Sequence, residues 1–385
     1  MGSLLLAINA GSSSLKFAVH ETDNTMRRVD GGKLEGIGTS LSSVRLGTQD
    51  EPEPLELPDH ETALAWLLER LERHGETTAL MAAGHRVVHG GLNFTAPVRV
   101  DQEAREALGE LIPLAPLHQP HNLAAIDAMS RLRPKLPQVA CFDTSFHRRQ
   151  PELAQRYALP SRLSEAGVRA YGFHGLSYEY IAGALPQYCG DMPEKVIVAH
   201  LGNGASLCAM NDGRSVATTM GFTPLDGIPM GTRTGHLDPG VTIYLQRHLG
   251  MSLDEVEEML YYQSGLQGVS GISSDMRRLL ASEAPAAGEA VELFVYQVGR
   301  HIGSLAAALG GIDALVFTGG IGEHAAEVRE RICDKAAWLG LQCDPEANRA
   351  GQRRIDTRES RVSAWVIPTD EESVIVRQTL AAVSD

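Results

Sequence analysis

Asn9-Ala-Gly-Ser-Ser-Ser-Leu-Lys16 is the stretch whose residue types and spacing come closest to anion chemistry. Gly11 to Ser14, with Ser12 and Ser14 among them, are small enough for backbone N–H groups and hydroxyls to approach an anion closely. Asn9 and Lys16 stand at the edges of this turn. Lys16 follows Ser12 by four residues, yet no G-x-x-x-x-G-K-[ST] occurs here, which excludes the helix-capped P-loop as a local match. The pattern returns in Val196 to Met210, where His200-Leu201-Gly202-Asn203-Gly204 makes the turn and Ser206-Leu207 takes the place of Ser14-Leu15. One Gly/Ser turn is ordinarily only a turn. Two of them, about half a chain apart, predict related domains facing each other across a nucleotide cleft.

Other stretches carry charge or imidazole among apolar residues and glycines. Arg86 lies in Gly84-His85-Arg86-Val87-Val88-His89-Gly90-Gly91, where a charge costs free energy unless it is paired or meets a ligand; a salt bridge at the strand end explains it as well. His118 sits in the proline-braced stretch Leu114 to Asn122, as a site residue or a helix cap. Asp143 follows the apolar run Gln138 to Phe142, a position from which acids in α/β sheets face ligands or metals, although Asp-Thr-Ser is also ordinary turn chemistry. His174 stands between Phe173 and Gly175, ahead of a helix, and Arg233 is the only formal cation of the Gly-, Pro- and Thr-rich stretch Met220 to Gly235. The apolar residues of that stretch mark a packed functional loop rather than a linker. Asp275 suits ribose hydroxyls or a helix cap. Gly319-Gly320-Ile321-Gly322-Glu323-His324 follows a strand and precedes a helix, which offers backbone amides to a nucleotide. Glu371 opens the last helix, where acids complement the helix dipole in any case.

The elements that hold these residues follow from periodicity. Leu15, Phe17 and Val19 alternate, so Leu4 to Val19 is a hairpin. Ser43 to Leu57, with Pro52 and Pro54, predicts exposed strands. Leu64, Leu67, Leu68 and Leu71 predict a helix from His60 to His74 with Gly75 as its cap. Asp101 caps a helix to Ile112 that Pro113 stops. Further helices are expected over Leu123 to Leu132, Ser177 to Leu185, Val241 to Leu249, Asp254 to Tyr262, Gly288 to Leu309, and from Pro368 to Ala382. Strands are expected at Gln138 to Phe142, Ala314 to Thr318 and Arg361 to Ile367.

A chain of 385 residues can bury two cores. With 43% hydrophobic and 21% charged residues it has ordinary globular composition. A net charge of -14 argues against nucleic-acid or membrane-surface partners, so an anionic substrate must be held by a few local cations. Five scattered cysteines without C-x-x-C suit a reduced compartment and no zinc. The apolar run Leu4 to Ile8 is too short for a signal sequence and lacks basic flanks, and no stretch approaches a membrane span. A cytoplasmic enzyme is expected.

Taken in order, these stretches resemble the acetate kinase family, within the actin-like superfamily of sugar kinases and heat-shock ATPases, from about Leu4 to Ala382. The matching motifs are Asn9 to Lys16, Gly84 to Gly91, Ala115 to His118, Phe142 to Thr144, Gly172 to Gly175, His200 to Gly204, Met230 to Arg233, Gly319 to Glu323 and Glu371-Glu372. The resemblance implies an α/β fold of two duplicated actin-like (ribonuclease H-like) domains facing a nucleotide cleft. Residues 1–143 and 372–385 would form the N-terminal domain and 144–371 the nucleotide-binding one. It further implies reversible phosphoryl transfer from ATP to acetate with Mg2+, Mn2+ being the alternative, and a homodimer.

By the same resemblance Arg86 and Arg233 bind carboxylate and migrating phosphoryl, and His174 donates to the phosphoryl oxygens. Asp143 and Glu371, with Asn9, position the metal. Val88, Leu117, His118, Phe173 and Pro224 line the acyl site, and Val88 favours acetate over propionate. The two hairpins hold the ATP phosphates through Ser12, Ser14, Lys16 and His200 to Gly204. Asp275, Met276, Arg277, Gly319, Gly320, Ile321, Gly322 and His324 line the ribose and adenine pocket. The chain departs from the family pattern at Leu176, Tyr178, His236, His324 and Asp370; Tyr178 replaces a second site histidine. A broader short-chain carboxylate kinase is the nearest alternative, and a nucleotide-gated ATPase a remoter one.

Overall fold

The computed structural model describes residues 3–23, 26–47, 51–73 and 80–384. The chain divides into two compact units, Met1–Phe146 with Asp370–Asp385, and His147–Thr369.

In the first unit β1 (Leu4–Ala10) and β2 (Ser14–Glu21) form the antiparallel hairpin, with Ala10 opposite Leu15. Gly11 N–H closes the turn by donating to Ser14 O at 2.8 Å. β3 (Arg28–Glu35), β4 (Ser43–Leu46) and β5 (Glu53–Pro54) add antiparallel strands beyond β2. On the other side β6 (Leu80–Val87) runs parallel to β1, β7 (Val98–Arg99) is a short edge, and β8 (Gln138–Phe142) runs parallel to β6. The order is β5-β4-β3-β2-β1-β6-β8-β7. Leu6, Ile8 and Ala10 of β1 and Leu15, Phe17 and Val19 of β2 point into one core, as the period of two requires. Helix His60–Arg73 brings Leu64, Leu67, Leu68 and Leu71 to the same core. The expected Gly75 cap lies outside the described residues. Helix Glu371–Ser384 packs on β1, β6 and β8.

In the second unit β9 (Lys195–Leu201), β10 (Ala205–Asn211) and β11 (Arg214–Thr218) are antiparallel. β12 (Ala314–Thr318) and β13 (Ser363–Val366) continue parallel to β9, in the order β11-β10-β9-β12-β13. This repeats β3-β2-β1-β6-β8 strand for strand, so the duplication read from two hairpins extends to the topology. β9, β10 and β12 are buried along almost their whole length, as strands covered on both faces are. The helix Pro285–Leu309 covers β9 to β11 with Val291, Phe294, Val298 and Ile302. The architecture is mixed α/β with two sheets of actin-like topology.

Several boundaries differ from expectation for local reasons. The Asp101-capped helix runs Gln102–Gly109, and Ile112–Leu114 is a 3-10 turn. The Pro113 ring would clash with the carbonyl four residues back, on Gly109, so α-helical bonding ends there. The helix expected from Leu123 begins earlier, as Gln119–Leu132. Pro120, read as a loop brace, sits in its first turn, where a missing N–H costs nothing. Gly319 to His324 is a short helix rather than a turn. Among the described residues no helix is long and apolar enough to cross a membrane.

Candidate active site

The residues singled out in the sequence fall into two groups, one on each unit. In the first unit Arg86, at the C-terminal end of β6, clasps Asp143, just beyond β8. Nε donates to Oδ1 and Oδ2 at 3.0 and 3.1 Å, and Nη2 to Oδ2 at 2.6 Å. Nη1 donates to Asn9 Oδ1 at 3.2 Å, and Asn9 Nδ2 donates to Glu371 Oε2 at 3.1 Å. The strand-end salt bridge weighed for Arg86 therefore exists, inside a network of four candidate residues. Burial opposes the Arg86 charge, but the Asp143 and Glu371 carboxylates outweigh it and hold the guanidinium above its ordinary value. Burial raises the Glu371 carboxyl above the usual range against the pull of Arg86. Lys16 pairs with Glu372 Oε2 at 2.7 Å.

This donor set suits a hard cation. Asp143, Glu371 and Asn9 offer oxygens in one network, and Glu372 Oε1 is buried with no hydrogen-bond partner among the described residues. No three His, Cys, Asp or Glu side chains among the described residues gather into a cage. Mg2+ takes one or two carboxylates and completes its shell with water and phosphate, so a partial set fits it.

Val88 is buried, and its N–H donates to Asn122 Oδ1 at 3.0 Å while Asn122 Nδ2 donates to Ala10 O at 2.8 Å. Asn122 thereby staples the end of β6 to the end of β1. Gln119 holds both the N–H and the carbonyl of His89. His118 occupies the N-cap position of helix Gln119–Leu132, but its side chain makes no capping bond. Leu117 is half-buried, and Ser12 is exposed at the hairpin turn.

In the second unit His174 takes the left-handed conformation, φ 58° and ψ 24°, at the head of helix Gly175–Cys189. Non-glycine residues adopt that region sparsely; Met26 and Asp212 also do so here. His147 Nε2 donates to Phe173 O at 2.9 Å and fixes the peptide just before it. The His174 ring stacks on His200, with centroids 4.4 Å apart. Each ring is held by a serine: His174 Nδ1 lies 2.8 Å from Ser206 Oγ on β10, and His200 Nδ1 lies 2.8 Å from Ser177 Oγ on helix Gly175–Cys189. Arg233 Nη1 donates to Pro224 O at 2.6 Å. A Cβ built on Gly204 would lie 3.1 Å from Arg233 Nη2 and 3.4 Å from His174 Nε2. Cation and imidazole thus converge on the glycine of the second hairpin. Gly231 N–H donates to Asn203 O at 3.0 Å, close enough that a Cβ there would strike Asn203 Oδ1.

On the proposed nucleotide side, the capping alternative for Asp275 is realised: Oδ1 accepts from Arg277 N–H at 2.9 Å, and Oδ2 pairs with Arg277 Nη2 at 2.7 Å. Gly319 has φ +77° and lies against the Leu201 carbonyl, and its N–H donates to Glu323 Oε1 at 3.0 Å. Gly320 is open, with nothing within 4 Å of where a Cβ would stand. His324 is exposed. Sequence reading missed Arg329, which is 2% exposed. Its Nη1 donates to Gly322 O and Glu323 O at 2.9 Å each and its Nε to Asn348 Oδ1 at 2.8 Å, closing the end of the short helix Gly319–His324. An arginine on the inward face of helix Ala326–Lys335 was the available signal.

The duplicated actin-like topology carries a Gly/Ser hairpin and a candidate arginine in each unit, an arrangement that suits a phosphotransferase. The acetokinase family profile matches residues 4–377. An acetate kinase from Rhodopseudomonas palustris is 54% identical over 396 aligned positions, covering 98% of both chains. The acetate kinase of Rhizobium meliloti is 48% identical and covers 99% of this chain and 98% of its own. Among solved structures, a propionate kinase from Francisella tularensis superposes with a TM-score of 0.92 at 38% identity over 98% of each chain. Porphyromonas gingivalis acetate kinase superposes with a TM-score of 0.87 at 36% identity, over 99% of this chain and 100% of its own. The chain belongs to the acetokinase family, and its activity is that of a kinase with a carboxyl group as acceptor.

Proposed function

We propose that this chain transfers the γ-phosphoryl group of ATP reversibly to acetate, giving acetyl phosphate and ADP, by direct in-line attack of a carboxylate oxygen. The observation that carries the proposal is the convergence of Arg233 Nη2 and His174 Nε2 over Gly204 in the second hairpin. Acetate arrives ionised, so its oxygen needs no general base, and the protein's task is to orient it and stabilise charge on the phosphoryl oxygens. Arg86 and Arg233 supply cations for that charge and His174 an N–H donor. Asn203 and its hairpin, with Ser12 and Ser14 of the first, hold the ATP phosphates, and the Gly319 to Gly322 backbone with Asp275 receives the nucleoside. Asp143, Glu371 and Asn9 hold Mg2+, or Mn2+ in its place, which neutralises phosphate charge when bound.

Val88, Leu117, Phe173 and Pro224 shape the acyl site, and Val88, which is buried, favours acetate over propionate. The similarity to a propionate kinase supports a second reading, a broader carboxylate kinase. One methylene is worth about 1–3 kcal/mol, so the two differ in degree. Steady-state kcat/KM for acetate, propionate and butyrate separates them: acetate leads by about tenfold on the first reading, and a lead for propionate overturns it. Arg233→Ala, which removes the bond to the Pro224 carbonyl, is expected to lower acetyl phosphate formation by about 10³-fold with the fold retained. Unimpaired turnover would remove Arg233 from the chemistry.

A cytoplasmic homodimer completes the proposal. All five cysteines are free thiols, which supports a reducing compartment. Helix Pro239–His248 buries none of its residues, and Ile243, Tyr244, Leu249 and Leu253 are each at least 50% exposed. An apolar face of this kind supports association of two copies, which sedimentation equilibrium of the protein and of Tyr244→Glu tests. A wild-type mass of one chain would contradict it.

A further inference from the structure

Tyr178 stands on the first turns of helix Gly175–Cys189, wholly buried, where no substrate reaches it. Its hydroxyl lies 2.5 Å from Ser206 Oγ, and the same Oγ lies 2.8 Å from His174 Nδ1. We infer that Tyr178 is a positioning residue for phosphoryl transfer: its hydroxyl, acting through Ser206, fixes His174 as the neutral tautomer that carries its proton on Nε2. The inference rests on the reading of His174 as the donor to the migrating phosphoryl.

A serine hydroxyl has one proton to give and lone pairs that accept, so a Ser206 that accepts from Tyr178 has its proton available for His174. Burial holds the proton on the Tyr178 phenol, far from ionisation, and that phenol is taken as the donor in the 2.5 Å contact with Ser206. Ser206 O–H then donates to His174 Nδ1, which leaves the ring proton on Nε2. Nε2 is the nitrogen that converges with Arg233 Nη2 on Gly204. The opposite tautomer would turn a lone pair toward the phosphoryl oxygens and repel them. The Tyr178 ring is itself held edge-on by His147, at 5.6 Å between centroids, so the hydroxyl has little freedom to leave Ser206. Second-sphere hydrogen bonds of this kind commonly decide which imidazole nitrogen is protonated.

Tyr178→Phe keeps the ring and removes one oxygen. Freed of its donor, Ser206 can accept from Nδ1–H, and the tautomer is no longer fixed. The test pairs ring 15N shifts of His174, assigned by the signal lost in His174→Asn, with steady-state kinetics. In the wild type Nε2 is expected to be protonated and Nδ1 not. In Tyr178→Phe the two shifts converge or exchange, and kcat falls about tenfold or more with KM for ATP and acetate within twofold. Ser206→Ala, which cuts the same link from the strand side, is expected to match it and keeps the test open if one variant folds poorly. Nδ1–H in the wild type, or an unchanged tautomer in both variants, overturns the inference, whether or not kcat falls. A changed tautomer with unchanged kcat leaves the hydroxyl relay in place and overturns the role of His174 as phosphoryl donor, so the two failures are distinguishable.

Discussion

In the proposed reaction Arg86 serves structure and chemistry together. Its guanidinium makes three bonds to Asp143 and one to Asn9, so the group is aimed before any substrate arrives. Arg86→Lys keeps the charge and loses the planar fork. The expected result is a fall in kcat of about 10²-fold or more with unchanged circular dichroism; an enzyme as fast as wild type would show that charge alone suffices. The identity of such residues was readable in the sequence, because an arginine in an apolar strand or an aspartate at a strand end is costly to keep. Their partners were not. Arg86 and Asp143 are separated by 57 positions and Tyr178 and Ser206 by 28, and spacing carries no record of which side chains meet across elements. Asp275 shows the converse: both a ribose contact and a cap fitted the sequence; its Oδ1 makes the cap, and the ribose role belongs to the proposal.

Strands and helices position these groups through close approach. A Cβ on Gly84 would lie 2.0 Å from Thr379 Oγ1 and 2.6 Å from Ile375 Cγ2, both buried on helix Glu371–Ser384. Gly84→Ala therefore pushes away the helix that begins with Glu371. It is expected to destabilise the protein by about 1–3 kcal/mol, read from the urea midpoint, and to raise the Mg2+ concentration needed for half-maximal rate. An unshifted midpoint would mean that the helix is not seated as described. The hairpins were readable because alternation and small turn residues are local signals. β3, with Asp30, Gly31, Gly32 and Lys33 in its middle, and the two-residue β7 carry no such pattern; their neighbours in the sheet decide their conformation. Helix starts moved where Pro120, read as a loop brace, and Pro285 proved to be first-turn residues.

For the molecule as a whole, each unit buries a histidine that resists protonation. Burial pushes His85 in the first and His147 in the second down to about 4. For a base with a depressed folded pKa, the unfolded chain takes the proton first. Above about pH 6.5 neither state binds it, and stability is unaffected. As pH falls from about 6.5 toward 4, stability is lost progressively, by at most about 3 kcal/mol per histidine. Urea unfolding at pH 7.5 and pH 5 is expected to show a lower midpoint at pH 5, and His85→Gln is expected to reduce that difference; equal midpoints would contradict it. The duplicated sheet order extends what two hairpins suggested, since neither half of the strand pattern depends on the loops that differ between them. The central claim is that two guanidinium groups and one imidazole serve a single migrating phosphoryl group. A crystal structure with ADP, Mg2+, acetate and aluminium fluoride as a planar phosphoryl mimic tests it most directly. The account predicts Arg86, Arg233 and His174 Nε2 each within about 3 Å of the mimic's equatorial atoms, and a structure with any of the three directed elsewhere would contradict it.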